Sequence, residues 1–238
     1  QKGGTGKTTA VRTLTDVFRK VGLATLAVDL DPQGNLSDYL DVDPDAAPTV
    51  GDVLSGRAKA AAAVHDGIIP ANLGLAEAEL MLGGKMGREL TLKKALREVK
   101  GDYDIVLIDC PPSLGLITIN GLAAASEVLV PIQCEYYALE GLGQLLRNVH
   151  LVQANLNEKL EVSTIVLTMY DGRTKLAEQV ADEVRSHFGN KVCRNIIPRT
   201  VRISEAPSFG QPITVFDPSS RGAIAYRELA KEVSGGKA

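Results

Sequence analysis

Apolar positions along the chain follow two alternating rhythms. Residues 24–29 and 103–109 are short apolar runs that each end in a carboxylate, Asp29 and Asp109, and they predict buried parallel strands whose C-terminal ends deliver an acid. Residues 127–132 and 162–168 repeat the type, and 194–197 is a shorter, weaker candidate. Between these runs, apolar residues spaced by three and four predict helices over 8–21, 92–99, 116–125, 139–155 and 175–188, with a last helix over 221–233. Strand alternating with helix is the signature of an α/β domain: a mostly parallel, twisted sheet with helices on both faces. Residues 41–91 break the rhythm. They mix Pro44, Pro48 and Pro70 with an Ala-rich run and the pair Gly83–Gly84, and are expected to form an irregular excursion with short helices. No repeat or composition break divides the chain, so residues 1–238 read as a single domain.

Composition narrows the class without changing this picture. The chain has 238 residues, 45% hydrophobic and 23% charged, which suits one globular domain and disfavours a disordered one. Cys110, Cys134 and Cys193 are too few and too scattered for a disulfide framework or a paired zinc site. A cytoplasmic setting is therefore expected. No run approaches the roughly 18 to 20 apolar residues that cross a bilayer. The net charge of -3 hides an asymmetry: residues 185–238 carry nine Lys/Arg against four Asp/Glu, a balance of +5, which leaves -8 for residues 1–184. One end of the chain is a candidate polyanion surface.

The candidate chemistry begins at the N-terminus. Lys2-Gly3-Gly4-Thr5-Gly6-Lys7-Thr8-Thr9 runs straight into the first helical pattern. Backbone N–H groups at a helix start converge on a phosphate, and glycine at Gly3, Gly4 and Gly6 leaves no Cβ to block its approach. In such a loop Lys7 supplies charge to the β- and γ-phosphates and the Thr8 hydroxyl a ligand to magnesium. The usual pattern places a glycine five residues before Gly6, where Gln1 stands, and Lys2 adds a second lysine. A phosphate loop also follows a strand. About 6 to 15 further residues, including that strand, are thus expected ahead of this one.

With these residues the sequence resembles the ParA/Soj and MinD ATPases, whose deviant Walker A motif is Lys-Gly-Gly-Thr-Gly-Lys-Thr. The match continues through Asp29-Leu30-Asp31-Pro32-Gln33-Gly34-Asn35, Asp109-Cys110-Pro111-Pro112-Ser113-Leu114-Gly115, the run from Glu135 to Leu142, and the run from Pro198 to Ser208. These islands cover most of the chain, in order, and point to the ParA/Soj partition branch. The resemblance implies a P-loop NTPase fold and slow hydrolysis of ATP with Mg2+. Asp109 takes the position of the Walker B carboxylate that holds the metal through its water shell. Asp31 resembles the switch acid that orients the attacking water; Asp29 stays open as its rival or its support. By resemblance Lys2 crosses a dimer interface to the partner's nucleotide and acts in trans, so that ATP binding and dimerisation become one equilibrium. Pro198 and Thr200 match the adenine-side loop, and Met169 is placed to pack on the base.

The resemblance also gives the basic segment a role: an ATP-bound homodimer that coats nonspecific double-stranded DNA, with Arg202 and Arg221 first and Arg185, Lys191 and Arg194 extending the patch. A ParB-type centromere-binding partner and nucleoid association follow from it. The rival is a MinD-like membrane-positioning ATPase, which needs a C-terminal amphipathic helix. The tail Val233-Ser234-Gly235-Gly236-Lys237-Ala238 is small and lacks one, so no membrane partner is expected.

Overall fold

Parallel strands with acids at their tips organise the computed structural model, which describes residues 4–43, 45–136 and 138–236. The strands are β1 (Thr25–Asp29), β2 (Ile68–Ile69), β3 (Ile105–Asp109), β4 (Glu127–Gln133) and β5 (Glu161–Thr168). They form two parallel ladders, ordered β2-β1-β3 and β4-β5. Among the described residues no ladder hydrogen bond joins β3 to β4. In the first ladder Thr25 lies opposite Ile105 and Asp29 opposite Asp109, so the two carboxylates emerge side by side. In the second, Gln133 and Thr168 end together after a register shift between Val128 and Leu129.

The helices are α1 (Lys7–Lys20), α2 (Asn35–Tyr39), α3 (Val50–Ser55), α4 (Gly74–Leu82), α5 (Thr91–Leu96), α6 (Leu116–Ala124), α7 (Ala138–Asn155), α8 (Lys175–Phe188), α9 (Val201–Glu205), α10 (Ile213–Phe216) and α11 (Arg221–Val233). They cover both sheet faces, because alternate strand residues point to opposite sides. Val106 and Ile108 join Leu26 and Val28 in a core closed by α3, α4, α5 and α6. Ile105 and Leu107 face the opposite core, where Leu14 and Phe18 of α1 meet Tyr226 and Leu229 of α11. Phe18 and Leu229 are wholly buried, a burial that stabilises by roughly 1.5–3 kcal/mol for each side chain. Helices α7 and α8 pack Val149, Val152, Val180 and Val184 against Val162 and Ile165 of β5.

One sequence expectation needs correction, and a second gains a strand. Residues 194–197 are not a strand; they run beside β5 only through single contacts, Cys193 N–H to Ile165 O (2.8 Å) and Ile197 N–H to Leu167 O (2.9 Å). The Glu232 carboxylate explains this, since it takes the N–H groups of Arg194 (2.9 Å) and Asn195 (3.0 Å) that a ladder would need. The 41–91 excursion, in turn, is more than irregular. It contributes β2, which pairs with β1 through Ala27–Ile68 and Val28–Ile69, and it buries Leu54, Leu75 and Leu82 against the sheet.

Candidate functional site

The glycine loop enters α1 with Gly4 and Gly6 at φ +79° and +88°, a left-handed geometry that favours glycine over any residue with a Cβ. The N-cap Gly6 has no side chain to cap α1, and the first turn holds no acid, an arrangement that suits an anion at the helix start. Lys7, Thr8 and Thr9 open the helix, half-buried. The loop hangs from the second ladder. Gln133 at the end of β4 donates its side-chain amide to Gly4 O (2.6 Å), and the Thr168 hydroxyl at the end of β5 donates to Thr5 O (3.0 Å). Neither residue was marked as functional by the sequence, although both stand at C-terminal strand ends, where open parallel sheets hold their ligands. Lys2 and Gly3 lie outside the described residues.

The two carboxylates at the tips of β1 and β3 behave differently. Asp29 is fully buried, and both its oxygens are engaged: one accepts the Asp31 N–H (2.9 Å), the other the Ser37 N–H (3.0 Å) and hydroxyl (2.8 Å). Burial raises its pKa against those hydrogen bonds. Asp109 is 1% exposed, and among the described residues neither carboxylate oxygen has a hydrogen-bond partner. Its pKa is pushed up to about 7, first by burial, with Asp29 and Asp31 adding to the rise while Thr8 and Lys7 oppose it. The Thr8 hydroxyl is thus near enough to favour the charged form yet does not reach hydrogen-bond geometry. Two orphaned acceptor oxygens beside a hydroxyl and an ammonium fit a hydrated Mg2+, an ion that keeps several waters and needs few protein ligands. Among the described residues no group of three or more His, Cys, Asp or Glu is gathered to hold a metal directly. Asp31, half-buried, accepts the Gln33 N–H (3.0 Å) on its own carboxylate and heads a turn closed by Gly34 N–H to Asp31 O (2.9 Å).

On the side expected to hold the base, Met169 stands at φ +51°, with its sulfur 3.2 Å from the Gln133 amide that carries Gly4. Tyr170 bridges to Pro198, with Tyr170 N–H to Ile197 O (3.2 Å) and Arg199 N–H to Tyr170 O (2.9 Å). Thr200 follows and caps α9 by accepting the Ile203 N–H (3.2 Å). A continuous path therefore runs from the phosphate loop through 169–170 to 198–200.

The basic residues fall into two groups, one at each end of α11. Arg202 is committed to Glu205 and Asp217, both at 3.2 Å, and lies over the Phe216 ring. Arg221 is exposed at the start of α11, with no ion-pair partner among the described residues. Arg185 reaches the Arg194 carbonyl (3.4 Å), and Arg194 N–H is held by Glu232 near the other end of α11. Lys191 pairs with Glu161 at 3.7 Å. The 11 residue steps from Arg221 to Glu232 put about 16 Å of helix between the two groups.

A glycine loop at a helix start, set over parallel strand ends beside a buried carboxylate with unused acceptors, defines a P-loop nucleotide-binding α/β protein. Residues 1–162 match the AAA domain family. The chain is 49% identical to the sporulation initiation inhibitor protein Soj of Bacillus subtilis, over 98% of this chain and 95% of that one. It is 50% identical to the chromosome-partitioning ATPase Soj of Treponema pallidum, over 98% and 94% of the two chains. Among solved structures it resembles the Mycobacterium smegmatis protein described as cobyrinic acid a,c-diamide synthase with bound ATP analogue and magnesium, at TM-score 0.84 and 42% identity, over 98% and 91% of the two chains. The chain belongs to the Soj/ParA family of chromosome-partitioning ATPases.

Proposed function

We propose that this chain binds ATP with Mg2+ at the α1 loop, dimerises around it, and uses the dimer to hold double-stranded DNA without reading its sequence, until hydrolysis resets it. The orphaned Asp109 carboxylate carries the nucleotide half of this reading, since it is buried beside Lys7 and Thr8 with both acceptors unused. Thr8 and Asp109 would hold the metal, which supplies charge neutralisation at the transferring phosphoryl group. Lys7 and the loop amides bind the phosphates, and Asp31 orients the attacking water. Lys2 reaches the second subunit's nucleotide. Met169, Pro198 and Thr200 line the base side, supported by the path from Gln133 to the α9 cap.

For DNA, the exposed Arg221 leads, because its charge is uncommitted, whereas Arg202 must first leave Glu205 and Asp217. Arg185, Lys191 and Arg194 form a second contact region. A ParB-type partner that stimulates hydrolysis completes the cycle, and the nucleoid is where the dimer resides. Among the described residues no helix is long and apolar enough to cross a membrane.

Size-exclusion chromatography with ATP, with ADP and with neither tests the switch. A dimer is expected with ATP alone, it disappears in Lys2→Ala, and Asp31→Ala locks it. Equal pairing in all three conditions refutes the reading. Duplex DNA should join the ATP dimer at low salt and leave at high salt, as phosphate contacts require, and Arg221→Glu should weaken it without slowing hydrolysis.

A further inference from the structure

The loop that carries Asp31 has a support the sequence does not reveal. Asp29 sits in β1 with its carboxylate saturated, and Ser37, 4% exposed in α2, supplies two of its three donors. The Ser37 hydroxyl is used twice, because its oxygen also accepts the Ala71 N–H (2.9 Å) from the segment after β2. The hydroxyl proton thus goes to Asp29 and a lone pair to Ala71. One side chain fixes the turn at 31–34 against both the strand before it and the segment opposite. Gly34 adds a tight approach there: a Cβ would meet Ala71 O at 3.0 Å.

We propose that Ser37, acting through Asp29, is a positioning residue for ATP hydrolysis: it holds the Asp31 backbone so that the Asp31 carboxylate faces the attacking water. The inference rests on the reading of Asp31 as the water-orienting acid. The chain of bonds is Ala71 N–H to Ser37 hydroxyl, to Asp29, to Asp31 N–H, and each link lies within 3.0 Å. Neither Ser37 nor Asp29 touches nucleotide in this scheme. Charge-assisted hydrogen bonds of this kind are the stronger class, and small misplacements of a water-orienting group cost rate rather than substrate binding.

The test compares Ser37→Ala, Ser37→Cys and Ser37→Thr in the full chain. Single-turnover hydrolysis at saturating ATP and Mg2+ is measured alongside nucleotide affinity and the melting temperature. Cysteine keeps the volume with a poor hydrogen-bonding group, so it carries the test if alanine prevents folding. Threonine keeps the hydroxyl, and Ser37 lines a groove of about 440 Å³ with Pro32, Gly34 and Ala71. Hydrolysis is expected to fall about tenfold in the alanine and cysteine variants, with nucleotide affinity within about twofold, and to recover in Ser37→Thr. Parental turnover in Ser37→Cys, or a loss of affinity in place of turnover, overturns the proposal. Asp31→Ala is measured in parallel: if it loses turnover while Ser37→Cys does not, only the positioning role fails. If Asp31→Ala turns over like the parent, the reading beneath it fails as well.

Discussion

The tips of β1 and β3 hold aspartates in the same register, in the same buried layer, with opposite bonding. Asp29 has three donors within 3.0 Å, and Asp109 has none. A saturated buried carboxylate shapes the backbone around it. An unsatisfied one costs stability unless something outside the chain completes it. The difference separates a carboxylate that shapes the backbone from one whose acceptors are unused, and strand position alone does not show it.

The largest effect in this comparison comes from the cation beside Asp109. Lys7→Ala removes the charge that opposes its desolvation and is expected to weaken ATP binding a hundredfold or more, on the order of a lost phosphate clamp, as read by fluorescent-nucleotide titration. Next come the acids themselves. Asp109→Asn should lower Mg2+-dependent hydrolysis by about a hundredfold while melting no earlier than the parent without metal, since it removes a buried unpaired carboxyl. Asp29→Asn should instead lose about 1–3 kcal/mol in urea unfolding, because it presents an amide to donors. Equal stability losses in the two variants would break the distinction.

The smallest effect sharpens the comparison at the surface. Burial raises the Glu232 carboxyl, but bonds from Arg194, Asn195 and Cys193 outweigh it and leave the pKa below its usual value. A carboxyl depressed in the fold stabilises above its unfolded pKa, and that contribution is lost as pH falls through the folded value. Thermal melts between about pH 5 and 3 should therefore fall more steeply for the parent than for Glu232→Gln. Identical slopes would show that Glu232 contributes nothing.

Much of this was legible in the chain. The runs ending in Asp29 and Asp109 fold as β1 and β3, and the helices start and stop within a few residues of their apolar patterns. The glycines before Lys7 read as a phosphate loop, and among the described residues Gly4 and Gly6 take the left-handed geometry such a loop uses. What escaped depended on distant partners. Ile68–Ile69 is too short to show a period, and it becomes a strand only beside Ala27 and Val28. Residues 194–197 read as a short strand, but Glu232, 37 and 38 residues away from Asn195 and Arg194, takes the donors. Gln133 and Ser37 have no motif of their own. Their roles follow from what lies opposite them: a loop carbonyl 129 residues away and the acid at the end of β1.

The glycine loop is tied by Gln133 and Thr168 to the β4-β5 ladder, while the helix it opens packs Leu14 and Phe18 with Ile105 and Leu107 of β3. A triphosphate seated there would rest on a loop that both ladders support. Occupancy is thus expected to be felt as a clasp, with a melting temperature that climbs with nucleotide concentration.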